Sequence, residues 1–309
     1  MLTSGSVPVR APAKVNLELR VGPPRPDGFH PLATVYQAVS IFDDVTVRTG
    51  ADWSVSIRGS RALGVPADDS NLALRAARLL AERHGMDEPV EIFIDKEIPV
   101  AGGMAGGSAD AAAALVGCDV LWGLGLSKDE LAVVGAELGS DVPFILYGGT
   151  ALGTGRGEVI TPVLTRGTFH WVFAFSDLGL STPDVYRRFD EHNAAADITP
   201  AEPTSSPELM TALRSGDPEL LARTLHNDLE GAAIDLREDL VEIIREGRSI
   251  GALAGIVSGS GPTIAFLAAD HESAIDLSVG LAATGVVSDT CRATGPVPGA
   301  QLRGVPRVD

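Results

Sequence analysis

Pro99-Val100-Ala101-Gly102-Gly103-Met104-Ala105-Gly106-Gly107-Ser108-Ala109-Asp110-Ala111-Ala112-Ala113-Ala114-Leu115 follows an alternating apolar stretch, Val90-Glu91-Ile92-Phe93-Ile94-Asp95. The alternation predicts a strand, and the alanine-rich run predicts a helix from about Ala109 to Trp122 that Gly123 and Gly125 end. The glycines between them let the backbone curl with its N–H groups turned inward. The helix start adds unpaired N–H groups and a positive dipole end. Together these features make a socket for phosphate. The turn has neither the Gly-Lys-Ser/Thr of a Walker A loop nor the GxGxxG spacing of dinucleotide folds. Ser108 reads as the helix N-cap, a role compatible with contacting a phosphate.

Composition narrows the classes around this element. At 309 residues the chain is long enough for two domains or one large one. Its 45% hydrophobic and 21% charged content is that of a soluble globular protein. No apolar run reaches the roughly 18 residues of a membrane helix. The start, Met1-Leu2-Thr3-Ser4-Gly5-Ser6, lacks the charged and apolar regions of a secretory leader. Cys118 and Cys291 stand far apart without metal-ligand spacing, which fits a reducing, cytoplasmic setting. A net charge of −17 argues against nucleic acid or an anionic membrane as partner. A phosphorylated ligand must therefore be held by local geometry.

Lysine is scarce. Of 24 basic residues only Lys14, Lys96 and Lys128 are lysines. Lys96, in Asp95-Lys96-Glu97, and Lys128, in a polar helix start, read as solvated surface. Lys14 instead interrupts a strand pattern over residues 7–21, with Ala13, Val15, Leu17 and Leu19 on one face. Lys14, Asn16 and Glu18 share the other face, Lys14 and Asn16 about 7 Å apart.

Further along, Asp27-Gly28 is a turn signal before Phe29-His30. Strands are expected over 44–48 and 53–58, around a turn at 49–52. A helix from Ser70 or Asn71 to Gly85 follows. Ser127-Lys128-Asp129-Glu130 is a capping box for a helix that Gly139 stops. Asp141, before Val142-Pro143, reads as the cap of another helix. Residues 190–208 read as a mobile surface segment. Helices are expected at 207–231 and 237–250 and strands at 254–257 and 264–267, with a frayed or extended tail from Pro296. Irregular mixing of strands and helices predicts an α+β fold, divided into domains 1–163 and 164–309.

Six markers stand in order: Ala11-Pro12-Ala13-Lys14-Val15-Asn16-Leu17, Asp27-Gly28-Phe29-His30, Asp69-Ser70-Asn71-Leu72, the 99–109 turn, Leu138-Gly139-Ser140-Asp141-Val142-Pro143-Phe144, and Ser258-Gly259-Ser260-Gly261-Pro262. In this arrangement, from Ala11 to Leu267, the chain resembles the GHMP kinase superfamily of galactokinase, homoserine kinase, mevalonate kinase and phosphomevalonate kinase. The resemblance is nearest to the branch that phosphorylates a cytidine diphosphate-linked methylerythritol on its 2-hydroxyl, in the non-mevalonate route to isoprenoid precursors. It implies a two-domain fold with the active site in the interdomain cleft and ATP as co-substrate. Magnesium is expected with the ATP, although no carboxylate cluster points to a dedicated metal cage.

The resemblance also implies roles. Asn71 and the stretch Pro99 to Ala109 would hold ATP, with Gly102, Gly103, Gly106, Gly107 and Ser108 binding phosphates through backbone N–H groups. Asp141 would contact the acceptor hydroxyl as general base or orienting acceptor, and Lys14 would hold Asp141 ionised and stabilise transferring charge. Asn16, Phe29, His30, Thr182 and Tyr186 would bind the acceptor. In that assignment His30 pairs with the cytosine edge, offering one ring nitrogen as donor and the other as acceptor, and Phe29 and Tyr186 sandwich the base.

The chain departs from the family pattern at three points. Ala105 stands where glycine is common, costing about 1 kcal/mol if its φ is positive. Ala109 lacks a serine hydroxyl, and Phe29 replaces a tyrosine. The alternatives are another kinase of the superfamily, acting on mevalonate, homoserine or a sugar, and a non-catalytic nucleotide-binding protein.

Overall fold

A computed structural model describes residues 5–100, 102–176 and 179–304 of the chain. The first half runs β1 (Ser6–Val21), β2 (Leu32–Thr49), β3 (Ser54–Arg58), α1 (Leu72–His84), β4 (Val90–Asp95), α2 (Gly106–Trp122), α3 (Lys128–Leu138), α4 (Asp141–Tyr147), β5 (Thr150–Thr154) and β6 (Val159–Pro162). The second runs β7 (Phe169–Phe175), α5 (Thr182–Ala195), α6 (Pro207–Ser215), α7 (Pro218–Ala222), β8 (His226–Asn227), α8 (Glu230–Leu236), α9 (Asp239–Ser249), β9 (Ala254–Val257), β10 (Ile264–Ala268), α10 (His271–Thr284), β11 (Asp289–Gly295) and β12 (Gln301–Leu302). The larger sheet has the order β12-β1-β2-β4-β3, with β5 and β8 added on β2 and β1 and β6 on β5; the smaller is β11-β7-β10-β9. These mixed sheets and helices form the expected α+β fold. Among the described residues no helix is long and apolar enough to cross a membrane.

Two features of the first half position the site. Strand β2 is 18 residues long and pairs along one length with β4 and along another with β5. In β1 the register slips between Pro12 and Ala13, where proline has no N–H for the ladder, and again between Asn16 and Glu18. Both faces of β1 are buried through Lys14 and Asn16, so these two polar side chains point into the protein rather than into open solvent. Against this sheet lies α2, whose Ala109 and Ala111–Ala114 are all fully buried. Small side chains let the helix approach closely: a Cβ on Gly117 would lie 2.6 Å from Val47. A helix apolar on every side belongs in a core, and this one is packed among β1, β2, α1, α3 and α4.

Several local expectations change. Helix α2 begins at Gly106, three residues early, so Ser108 lies inside its first turn and is not the cap. The cap position is Ala105, at φ 61°. Asp141 is likewise the first residue of α4, with Ser140 at the cap position. The strands at 54–58 and 32–49 do not form a hairpin, because β4 inserts between them and pairs in parallel with β3. Residues 190–195 continue α5 rather than forming a loose segment, and His192 there bonds Asp235 at 2.7 Å. The expected helix at 207–231 is broken by Gly216-Asp217-Pro218 and by the strand β8, which pairs in parallel with β1. Of the tail from Pro296, the described residues to Gly304 are packed: Ala300 is buried and β12 pairs with β1. The start at Met1–Ser4 lies outside the described residues.

The left-handed Ala105 gives a direct test of strain in the turn. An L-side chain there costs roughly 1–2 kcal/mol, against which glycine's larger unfolded-state entropy of about 0.4–1 kcal/mol must be set. Ala105→Gly should therefore raise unfolding stability by about 0.5 kcal/mol or more in urea titration. A loss of stability would show that the Ala105 methyl packs usefully and outweighs the strain.

Candidate active site

The glycine turn is shaped by what presses on it. Gly103 is left-handed at φ 71°, and a Cβ there would collide with the Ser258 carbonyl. A Cβ on Gly102 would lie 2.7 Å from Thr263 Oγ1, and Ser258 Oγ donates to the Gly103 carbonyl at 3.2 Å. The two glycine-rich loops, one from each half, therefore sit back to back. Beyond them the first N–H groups of α2, from Gly106, Gly107 and Ser108, have no partner within the helix, an arrangement able to bind an anion.

A cavity of about 290 Å³ opens at this turn, lined by Asn71, Pro99, Val100, Gly102, Gly103, Ala105, Gly106 and Gly107. Asn71 caps α1 through Ala73 N at 2.9 Å and donates to the Pro66 carbonyl at 2.8 Å, holding the wall of the cavity. Other expected ATP residues fall elsewhere. Met104 is buried beneath the turn, where its carbonyl accepts the Lys14 N–H at 3.2 Å. Ala109 is buried in α2, Ser108 faces a second cavity, and Ala101 lies outside the described residues.

Lys96 overturns its surface reading. It is 1% exposed, with Nζ 2.5 Å from Asp43 Oδ2 and 2.7 Å from Asp110 Oδ2. Asp43 Oδ1 also accepts the N–H groups of Glu97 and Ile98 at 2.7 and 2.9 Å. This cluster ties the end of β4 and the first turns of α2 to β2, and so sets both ends of the glycine turn. Burial and the neighbouring Asp43 push the Asp110 carboxyl well above the usual range, opposed by Lys96. The local triplet Asp95-Lys96-Glu97 gave no hint of this, since both partners are distant in sequence.

The second cavity, about 630 Å³, holds the remaining candidates. Lys14 and Asn16 enter from β1, Tyr36 from β2, Ser108 from α2, Asp141 from α4, and Thr182 and Tyr186 from α5, with Phe29 and His30 from the loop after β1. Lys14 Nζ donates to Asn16 Oδ1 at 2.6 Å and stands 3.9 Å from Asp141 Oδ2. Asn16 Nδ2 donates to Thr34 Oγ1 at 2.8 Å, which fixes the amide oxygen toward the lysine. Burial lowers the Lys14 pKa, and the Asp141 charge works in the opposite direction. Gly259 closes over the lysine, where a Cβ would lie 3.2 Å from Nζ. Asn227 holds that loop by donating to the carbonyls of Val257 and Gly259 at 2.8 and 2.7 Å.

At the other end His30 is buried. Its Nδ1 lies 2.8 Å from the Gly22 carbonyl; a carbonyl only accepts, so Nδ1 carries the proton. The expected pair of ring roles is therefore narrowed, because Nδ1 is already used and only Nε2 remains, 3.4 Å from Asp190 Oδ2. The His30 and Tyr186 rings are 5.2 Å apart. Phe29 is half exposed, with the Arg156 guanidinium 5.0 Å from its ring centroid. Thr182 Oγ1 and Ser260 Oγ are hydrogen-bonded at 2.8 Å, joining α5 to the second glycine loop.

The structure thus brings Lys14, Asn16, Asp141, His30, Phe29, Thr182 and Tyr186 around one space and places the glycine turn beside it. Residues not foreseen are Tyr36, Asn227 and the Lys96 cluster. For Tyr36 the one available signal was rarity, as the chain has three tyrosines. Chemically, an anion-binding helix start next to a buried cation and a carboxylate suits transfer of an anionic group to a hydroxyl.

Comparison with known proteins agrees. The domain described as "GHMP kinases N terminal domain" matches residues 71–149, and "GHMP kinases C terminal" matches residues 209–286. A 4-diphosphocytidyl-2-C-methyl-D-erythritol kinase from a Nocardioides species is 56% identical over 299 residues, covering 95% of this chain and 99% of the relative. The protein of that name from Mycolicibacterium smegmatis is 53% identical, covering 99% and 95%. A crystal structure of 4-(cytidine 5'-diphospho)-2C-methyl-D-erythritol kinase matches with a TM-score of 0.75 at 31% identity, covering 93% of this chain and 98% of that one. The L. major mevalonate kinase, at 18% identity and a TM-score of 0.77 with 96% and 97% coverage, shares the fold.

Proposed function

The chain belongs to the GHMP kinase family, and on that premise we propose that it transfers the γ-phosphoryl group of ATP to the 2-hydroxyl of 4-diphosphocytidyl-2-C-methyl-D-erythritol. That reaction lies in the non-mevalonate route to isoprenoid precursors. The observation that carries the reading is the continuity of one cavity from Lys14 and Asp141 to His30 and Tyr186. Such a space suits a long acceptor with a reactive hydroxyl at one end and a planar base at the other.

In this account Asn71, Pro99, Val100, Gly102, Gly103, Ala105, Gly106 and Gly107 hold the nucleotide, and the α2 N–H groups meet its phosphates. Asp141 accepts the proton of the attacking hydroxyl. The new O–P bond forms as the bond from Pγ to the β,γ-bridging oxygen breaks, and ADP leaves with that electron pair. Lys14, held by Asn16, stabilises negative charge on the oxygens in transfer. The Ser108 hydroxyl, which lines the Lys14–Asp141 cavity in the first turn of α2, is a hard oxygen donor. It suits a magnesium ion that arrives on the phosphates and keeps water ligands. Ser108 would hold that ion, which would neutralise phosphate charge.

At the base end, His30 Nε2 and the Asp190 carboxylate are both acceptors, matched to the exocyclic amine of cytosine. Phe29 and Tyr186 supply aromatic faces, and Thr182 lies beside them. A division into domains 1–163 and 164–309 is supported by β6 ending the larger sheet's first run at Pro162 and β7 opening the smaller sheet at Phe169. We place the enzyme in the cytoplasm, where its two free cysteines stay reduced.

His30→Ala tests the acceptor assignment. Loss of one base hydrogen bond is worth about 1–1.5 kcal/mol, so KM for the cytidine-bearing acceptor should rise about tenfold with KM for ATP unchanged. The wild type should ignore methylerythritol phosphate, which lacks the base. Equal use of the base-free acceptor, or an unchanged acceptor KM in His30→Ala, would point to a different alcohol.

A further inference from the structure

Asp141 has a second neighbour besides Lys14. Tyr36, 3% exposed on β2, donates its hydroxyl to Asp141 Oδ1 at 3.1 Å. Its ring is fixed from several directions. It stacks on Phe144 with centroids 4.8 Å apart, and Phe144 lies on the same short helix as Asp141. Lys14 Nζ stands 5.9 Å from the ring centroid. On the β5 side, a Cβ on Gly153 would lie 2.6 Å from Tyr36 Cε2, and one on Gly157 would meet the hydroxyl itself. Both positions are glycine, and Gly157 is left-handed at φ 105°, so the chain leaves a slot for a phenol of this length.

Burial, together with the adjacent Asp141 charge, raises the Tyr36 pKa well above its ordinary value. The phenol therefore remains a donor at neutral and mildly alkaline pH. Asp141 is thus addressed on both oxygens: Oδ1 by Tyr36, and Oδ2 by Lys14 at 3.9 Å. A carboxylate with one oxygen fixed cannot rotate freely about its terminal torsion, which is otherwise broad.

We propose that Tyr36 is a positioning residue for the transfer: its hydroxyl fixes Asp141 by Oδ1, so that Oδ2, beside Lys14, meets the acceptor hydroxyl. This rests on the function proposed above. The acceptor oxygen is thereby brought to the side on which the lysine can stabilise its developing charge. Small misplacements of a reacting group are costly in rate, and a hydrogen bond to a charged group is among the stronger kinds.

Tyr36→Phe keeps the ring, its stack and the strand, and removes only the hydroxyl. Its kcat on the cytidine-bearing acceptor should fall about tenfold, with KM for ATP and for the acceptor unchanged. In an Asp141→Ala background the same substitution should have no further effect, because no carboxylate remains to be positioned. A Tyr36→Phe kcat within about twofold of wild type, a change confined to KM, or an equal loss in the Asp141→Ala background would overturn the assignment. Failure of the wild type itself to phosphorylate that acceptor would overturn the functional reading, and this inference with it.

Discussion

Asp141→Asn should lower turnover by roughly 10²-fold or more while leaving ATP binding close to that of the wild type. The amide has nearly the same shape and can still accept from Tyr36, so packing at the start of α4 is kept. What is lost is the charge that faces Lys14 and, in the proposed mechanism, receives the hydroxyl proton. The proposed nucleotide socket is built from other residues, those of the turn before α2. A pH effect accompanies the loss. Burial already lowers the Lys14 pKa and the Asp141 charge raises it, so removing that charge lowers it further. The residual activity of Asp141→Asn should therefore decline on the alkaline side at lower pH than wild-type activity does. Near-normal turnover by a pure sample of this variant would remove Asp141 from the mechanism.

Lys96→Met should be the most damaging of the simple lysine substitutions to stability. It leaves Asp43 and Asp110 buried around an apolar side chain, and breaking a buried ion pair from one side costs about 3–5 kcal/mol. Because Asp43 also receives the N–H groups of Glu97 and Ile98, the turn before α2 should lose its anchor and ATP affinity should fall as well. Lys128→Met, at an exposed helix start, is the control and should change little. Urea unfolding of the two variants separates the cases. A cost below about 1 kcal/mol for Lys96→Met would mean that the cluster relaxes or exchanges its proton on losing the lysine.

What could be read from the sequence follows the range of the forces involved. The strand before the glycine turn, the α1 start expected at Ser70 or Asn71 and found capped by Asn71, the Ser127–Glu130 capping box and the stops at Gly85, Gly123 and Gly139 all depend on contacts within a few residues, and they stand as expected. The start of α2 escapes the local pattern because it lacks a side-chain cap, with Ala105 in a conformation that alanine seldom adopts. Lys96 resembles a surface residue in sequence because its counter-charges come from Asp43 on β2 and Asp110 on α2. Tyr36 carries no local signal for the same reason, since its partner Asp141 is 105 residues away. In the second half, polar composition at 190–195 conceals the end of a helix whose packed residues, Val185, Tyr186 and Phe189, lie earlier in α5, and β8 and β12 are two-residue strands made by pairing with β1.

The most direct test of the phosphoryl-transfer account is phosphorus NMR of the purified protein with ATP, magnesium and 4-diphosphocytidyl-2-C-methyl-D-erythritol. The expected result is a new phosphomonoester signal on the acceptor, appearing in step with ADP while the cytidine diphosphate linkage stays intact. ATP consumed to inorganic phosphate without that signal, or an equally rapid appearance of a second phosphomonoester on methylerythritol phosphate, would contradict it.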